Sequence, residues 1–73
     1  VDTLRKEIDN ARTLLDEQLT SLKYAEEELK IYESANQLGV ASGVKYLNAK
    51  SFVHDTEFAV LQAKGQLAQL EQQ

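Results

Sequence analysis

The stretch Leu38-Gly39-Val40-Ala41-Ser42-Gly43 is the place in this chain where one helical pattern stops and another begins. Glycine readily adopts the left-handed backbone conformation that closes a helix, and Gly39 directly follows the first pattern. Serine is a favoured N-cap residue, and Ser42 directly precedes the second pattern. Because so few residues separate the two patterns, we predict a compact turn that folds two helices back on each other.

The arm before this turn carries an apolar seven-residue repeat that is interrupted only at Gln18. Its two series are Val1, Ile8, Leu15, Leu22 and Leu29, and Leu4, Ala11, Gln18, Ala25 and Tyr32. This spacing, held over several heptads, predicts a helix over residues 2–37 with a coiled-coil seam. We expect Leu14, Leu19 and Ile31 to widen that seam. We also expect two acid–base pairs along the helix, Asp2 with Lys6 and Glu26 with Lys30.

The arm after the turn repeats in the same way and predicts a helix over residues 43–72. Its two series are Tyr46, Val53, Val60 and Leu67, and Ala49, Thr56, Ala63 and Leu70. A second apolar stripe runs beside them, formed by Leu47, Phe58, Leu61 and Ala68, with Phe52 and Ala59 between. Two stripes exceed what one partner helix covers. The arm therefore belongs either in an ordinary bundle core or in a wall of helices, between two neighbours.

The predicted fold class is all-α, an antiparallel two-helix coiled-coil hairpin that forms a single unit over residues 1–73. The side chains expected to pack the two helices together are Leu15, Leu22, Leu29, Val53, Val60 and Leu67. A hairpin of 73 residues buries a small core. We therefore expect it to be a segment of a larger protein, to be covered by further helices and to take part in a homo-oligomer.

Charge and composition argue against several classes of function. The net charge is −4 and no basic stripe is present, which argues against nucleic acid as a partner. The longest apolar runs are far too short for this segment to cross a membrane as a helix. His54 and Glu57 share a helix face, but one histidine and no cysteine predict no metal site and no cofactor. Ser42 has no neighbouring base that could activate it as a nucleophile. We therefore expect that the chain is not an enzyme.

The turn and its flanks resemble a known family. Gly39-Val40-Ala41-Ser42 followed by Leu47-Asn48-Ala49 is similar to the tip of the periplasmic hairpins in TolC-type outer-membrane efflux channels. Ala25-Glu26 and the run from Leu61 to Ala68 also resemble the family's two arms. The chain departs from the family pattern at Ala35-Asn36, where Arg-Tyr is usual, and at Lys45, where an acid is frequent.

The hairpins of periplasmic adaptor (membrane-fusion) proteins are a close alternative. They also carry Gly-x-x-Ser at the tip, and Tyr46 and Ala49 fit the spacing of the aromatic or leucine and the alanine that follow in that family. The chain lacks the arginine and leucine that usually precede their serine. The channel accounts for slightly more of the residues, and the choice between channel and adaptor stays open.

Either resemblance implies a structural role in a tripartite efflux or secretion system. The hairpins would pack side by side into a periplasmic tube, and their tips would dock with the helical hairpins of the partner. The parent protein would be anchored in the outer or inner membrane. The tip residues that would contact the partner are Gly39, Val40, Ala41, Ser42, Gly43 and Lys45. The alternative is a stand-alone coiled-coil interaction or scaffold module that binds a partner helix along its arms.

Overall fold

The computed structural model describes residues 2–39 and 42–73, which form two α-helices. Helix α1 spans Asp2–Gln37 and helix α2 spans Gly43–Glu71, so α2 ends one residue earlier than predicted. The helices pack against each other along their length into a rod with extents of 57 × 14 × 12 Å. The predicted all-α, antiparallel two-helix hairpin is therefore confirmed.

The seam between the helices is built from the two heptad series. On α1 it buries Ala11 and Ala25, and on α2 it buries Ala49, Val53, Thr56, Val60 and Ala63. The other described members of both series, Gln18 included, are half-buried. Small residues at the buried positions leave room for the two backbones to approach closely, while the seam leucines of α1 are half-buried.

The six side chains expected to pack the helices together all lie in this seam. Val53 and Val60 are buried, and the four leucines are half-buried: Leu15, Leu22, Leu29 and Leu67. Among the described residues no large side chain is completely buried. One seam thus supplies nearly all of the hydrophobic stabilisation, which leaves a fold of this size with only a few kcal/mol of net stability.

Thr56 is the one buried polar side chain among the residues that the structure describes. Its hydroxyl donates a hydrogen bond of 2.8 Å to the backbone carbonyl of Phe52, one turn earlier in α2. A buried hydroxyl without a partner would cost free energy, and this bond removes that cost. Threonine is therefore compatible with an otherwise apolar seam at this position.

Two expectations about α1 are corrected by the structure. Ile31 does not widen the seam, because it lies on the side of α1 turned away from α2 and is 67% exposed, whereas Leu14 and Leu19 are each 41% exposed and flank the contact as expected. The two expected pairs along α1 are not formed. Within residues 2–39 and 42–73 the only ion pair joins Arg12 and Glu71, at 3.3 Å between the two helices. Both side chains are about half exposed, so this pair contributes little stability.

Candidate interaction surfaces: the hairpin tip and the outer face of α2

The tip is shaped by the end of α1. Gly39 has φ +75°, in the left-handed region, and its amide donates a hydrogen bond of 3.1 Å to the carbonyl of Asn36. The amide of Leu38 donates to the carbonyl of Ser34, also at 3.1 Å. These bonds satisfy carbonyls at the helix end that would otherwise lack a partner. Gly39 thus closes α1 in the way its position in the sequence predicted.

The other side of the tip is shaped by the start of α2. Ser42 has an extended backbone (φ −74°, ψ 146°), and its Oγ accepts a hydrogen bond of 3.1 Å from the amide of Lys45. This is the N-cap predicted from the sequence. The first turn of α2 carries no acid, so the Ser42 hydroxyl is the side-chain oxygen that meets the free amides there.

Loss of this cap has a measurable consequence. We expect Ser42→Ala to cost about 1 kcal/mol of stability, because the Lys45 amide loses its acceptor. For a chain of this length that corresponds to a drop of about 4–8 °C in the melting temperature, measured by far-UV circular dichroism. Ser42→Asp is the matched control, since a carboxylate caps the helix equally well. Equal melting temperatures for Ser42→Ala and the natural chain would contradict the role of the cap.

The tip surface is open on the described side. A Cβ built on Gly39 or on Gly43 would have nothing within 4 Å, and Gly43 and Lys45 are exposed. Val40 and Ala41, the two other residues predicted to contact a partner, lie outside the described residues. The described part of the tip therefore offers exposed backbone and one positive charge to an approaching surface.

A second surface lies on the side of α2 turned away from α1. Six residues alternate there at spacings of three and four, and we call them the outer stripe: Val44, Leu47, Ser51, His54, Phe58 and Leu61. Its four large apolar side chains are 59–66% exposed. Apolar exposure concentrated on one helix face marks a contact site. Since α1 already occupies the opposite face, α2 is built to pack on two sides.

His54 belongs to this stripe and is exposed. In the structure His54 and Glu57 line a shallow cleft together with Phe58 and Leu61, so the imidazole has apolar neighbours. No group of three or more potential metal ligands occurs among the described residues.

From the sequence, Leu47, Phe58 and Leu61 were expected in this stripe, whereas Val44, Ser51 and His54 were not. The signal that finds them is the 3–4 alternation itself, which links Val44 to Leu61 without a gap. Ser51 and His54 are polar, so a search for apolar residues alone does not connect Leu47 with Phe58. The stripe is therefore a second heptad seam that has no partner within this hairpin.

Lys50 and Glu57 flank the outer stripe on one side, both at the same heptad position. The Nζ of Lys50 lies 5.7 Å from the centre of the Tyr46 ring, a cation–π distance that holds the lysine along α2. Neither side chain takes part in an ion pair among residues 2–39 and 42–73. On this side the stripe is thus bordered by one positive and one negative charge, one heptad apart.

No stretch of either helix, over the part of the chain that the structure describes, is long and apolar enough to cross a membrane. Comparisons of the chain with models of protein families, with characterised proteins and with solved structures gave no significant match.

Proposed function

We propose that this hairpin is a structural element of a tripartite efflux or secretion conduit in the periplasm. In this role it packs side by side with other hairpins into a tube and docks through its tip with the hairpins of its partner. It uses no cofactor and performs no catalysis. The parent protein is the outer-membrane channel or the periplasmic adaptor of such a system.

The observation that carries the proposal is the exposed outer stripe on a helix whose opposite face is already packed. A helix in the wall of a tube has a neighbour on each side, so it needs two apolar faces. Helix α2 has both, with Val60 5% exposed on one face and Leu61 65% exposed on the other. The 57 Å rod gives each neighbour a long line of contact.

The tip supports the second half of the proposal. Two turns can approach each other closely only where side chains are small and the backbone is accessible. Gly39 and Gly43 satisfy both conditions, since the space where each Cβ would lie is empty. Lys45 adds a positive charge that an acidic partner tip would complement.

A stand-alone coiled-coil interaction module is the second candidate function. It is favoured by the position of the outer stripe, which extends along the arm from Val44 to Leu61 and does not concentrate at the tip. In this case a partner helix lies along α2 and the turn only connects the two arms. The two candidates differ in whether the tip touches another protein.

Cross-linking from defined positions separates the candidates. A photoreactive amino acid is placed at Gly43 in the protein as its own cells express it, and captured proteins are identified by mass spectrometry. The matched control carries it at Gly65, another helical glycine with nothing within 4 Å of its Cβ position, far from the tip. We expect Gly43 to capture a periplasmic adaptor or an outer-membrane channel. Gly65 would capture neighbouring copies.

The identity of the captured protein decides between the remaining alternatives. Capture of an adaptor at Gly43 assigns this hairpin to a channel, and capture of a channel assigns it to an adaptor. A tip that captures nothing while Gly65 captures a helical partner supports the interaction module. A partner outside the periplasm would overturn the proposed conduit.

A further inference from the structure

We propose that the outer stripe of α2 is self-complementary and that two copies of the hairpin pair through it, antiparallel, with their tips at opposite ends. The stripe is an uninterrupted 3–4 repeat over residues 44–61, which is the pattern that a helix presents to a partner helix. A second copy supplies the same pattern. The pairing is isologous, so every contact occurs twice.

One register brings all four large apolar side chains into contact. When the two α2 helices run antiparallel with residues 44 and 61 opposed, Val44 faces Leu61 of the second copy and Leu47 faces its Phe58. Ser51 then faces His54 of the second copy, and a hydroxyl beside an imidazole allows a hydrogen bond. Each exposed apolar side chain of the stripe leaves water, and the two polar residues meet each other.

The charges that border the stripe agree with the same register. In an antiparallel pair the flanking positions on one side meet each other, so Lys50 lies opposite Glu57 of the second copy, and Glu57 opposite its Lys50. On the other side Asn48 lies opposite Asp55. Two opposite-charge contacts thus form around the two-fold axis, from side chains that form no ion pair within the described hairpin.

Neighbouring registers either bring like charges together or leave an apolar side chain without an opposing residue. A shift of one heptad toward the end of α2 places Glu57 opposite Glu57 and Lys50 opposite Lys64, which is repulsive on one whole side. A shift of two heptads restores opposite charges but leaves Val44 without an opposing residue. A parallel pair would place His54 against His54. The register that opposes residues 44 and 61 has none of these faults.

This pairing goes beyond the proposed conduit and does not depend on it. In the antiparallel pair, the second copy covers the same face of α2 that a neighbour in a tube would cover. The two tips of the pair point in opposite directions, whereas all tips in a tube lie at the same end. The antiparallel pair is therefore the state of the free hairpin, and it must open before side-by-side packing. Such pairing keeps an apolar face away from other proteins until assembly.

Charge exchange at the flanks tests the pairing. The dissociation constant of the 73-residue chain is measured by sedimentation equilibrium. We expect Lys50→Glu and Glu57→Lys each to raise it about tenfold, because each turns two attractive contacts into repulsive ones. The double variant Lys50→Glu with Glu57→Lys restores opposite charges and should restore the association. Lys64→Glu is the matched control, since that residue has no charged partner in this register and should change nothing.

Disulfide trapping tests the direction. The chain has no cysteine, so one preparation carries Val44→Cys and another Leu61→Cys, and the two are mixed in a glutathione redox buffer. We expect the mixed disulfide to exceed its statistical share. A preference for disulfides between identical chains would show a parallel pair and overturn the proposal. A chain that stays monomeric with full helicity, or a double charge variant that does not regain association, would also overturn it.

Discussion

The hairpin should lose most of its stability when Val60 is replaced by aspartate. Val60 is 5% exposed in the seam, and no positively charged side chain is buried among the described residues. The change removes the burial of an aliphatic side chain and forces a carboxyl group into an apolar contact, which together cost at least about 3 kcal/mol. Net stabilities for chains of this length are about 4–10 kcal/mol, and a single-seam hairpin belongs at the low end.

The control for this experiment is the neighbouring residue. Leu61 is 65% exposed on the opposite side of α2, and Leu61→Asp should lower the stability of the single hairpin by about 0.5 kcal/mol or less through helix propensity. Both variants are followed by thermal circular dichroism at low protein concentration, where association contributes little. Equal losses at Val60 and Leu61 would contradict the arrangement in which α1 covers only one face of α2.

The second large effect is expected at the turn. Gly39 has φ +75°, where an L-amino acid with a branched Cβ is strained by about 1–2 kcal/mol even though a Cβ would touch no neighbour. Gly39→Val should therefore lower stability by about 2 kcal/mol, seen as an earlier thermal transition. The cause is the backbone conformation and not crowding, so a smaller side chain would bring little relief.

Two further variants isolate this cause. Gly39→Asn should lose less, because asparagine tolerates the left-handed conformation better than valine. Gly43→Ala should gain about 0.4–1 kcal/mol, since Gly43 is the first helical residue of α2 and has an empty Cβ position. If Gly39→Val and Gly43→Ala had the same melting temperature, the left-handed conformation of Gly39 would not constrain the fold.

Stability and interaction are separated on different faces of the same helix. The residues that hold the hairpin together lie at the seam and include Val53 and Val60, while those available to a partner lie on the outer stripe. Substitutions on the outer stripe should therefore change association while the hairpin stays folded. This separation makes α2 suitable for experiments in which binding is altered without loss of structure.

Some features could be predicted from the sequence because they depend on neighbours along the chain. A left-handed Gly39 and a capping Ser42 need only a few flanking residues, and the structure has both. The heptad series in the two arms likewise identified the seam, since side chains three and four residues apart share one face of a helix. These are local properties, and they sufficed for the helices, the turn and the direction of the arms.

Other features escaped the sequence because they depend on packing. Ile31 looked like an extension of the seam, yet it is turned away from α2 and two thirds exposed. Val44, Ser51 and His54 were not expected beside Leu47 and Phe58, yet they lie on the same exposed face of α2. Whether a residue at the edge of a stripe is buried or exposed depends on the direction of its side chain relative to the partner helix. The sequence pattern alone does not give that direction.

By itself the sequence determined two amphipathic helices, one turn and an excess of apolar residues on the second arm. The sequence also indicated that the face with Val53 and Val60 meets α1, but only the tertiary structure decided that Val44, Ser51 and His54 join the second face and that this face stays open. The reason is physical. The face with alanine, valine and threonine permits close approach of two backbones and is buried, while the face with Leu47, Phe58 and Leu61 projects bulky side chains to solvent. The period of a sequence fixes where its stripes run, whereas the partner that covers each stripe is set by the packing of the whole chain.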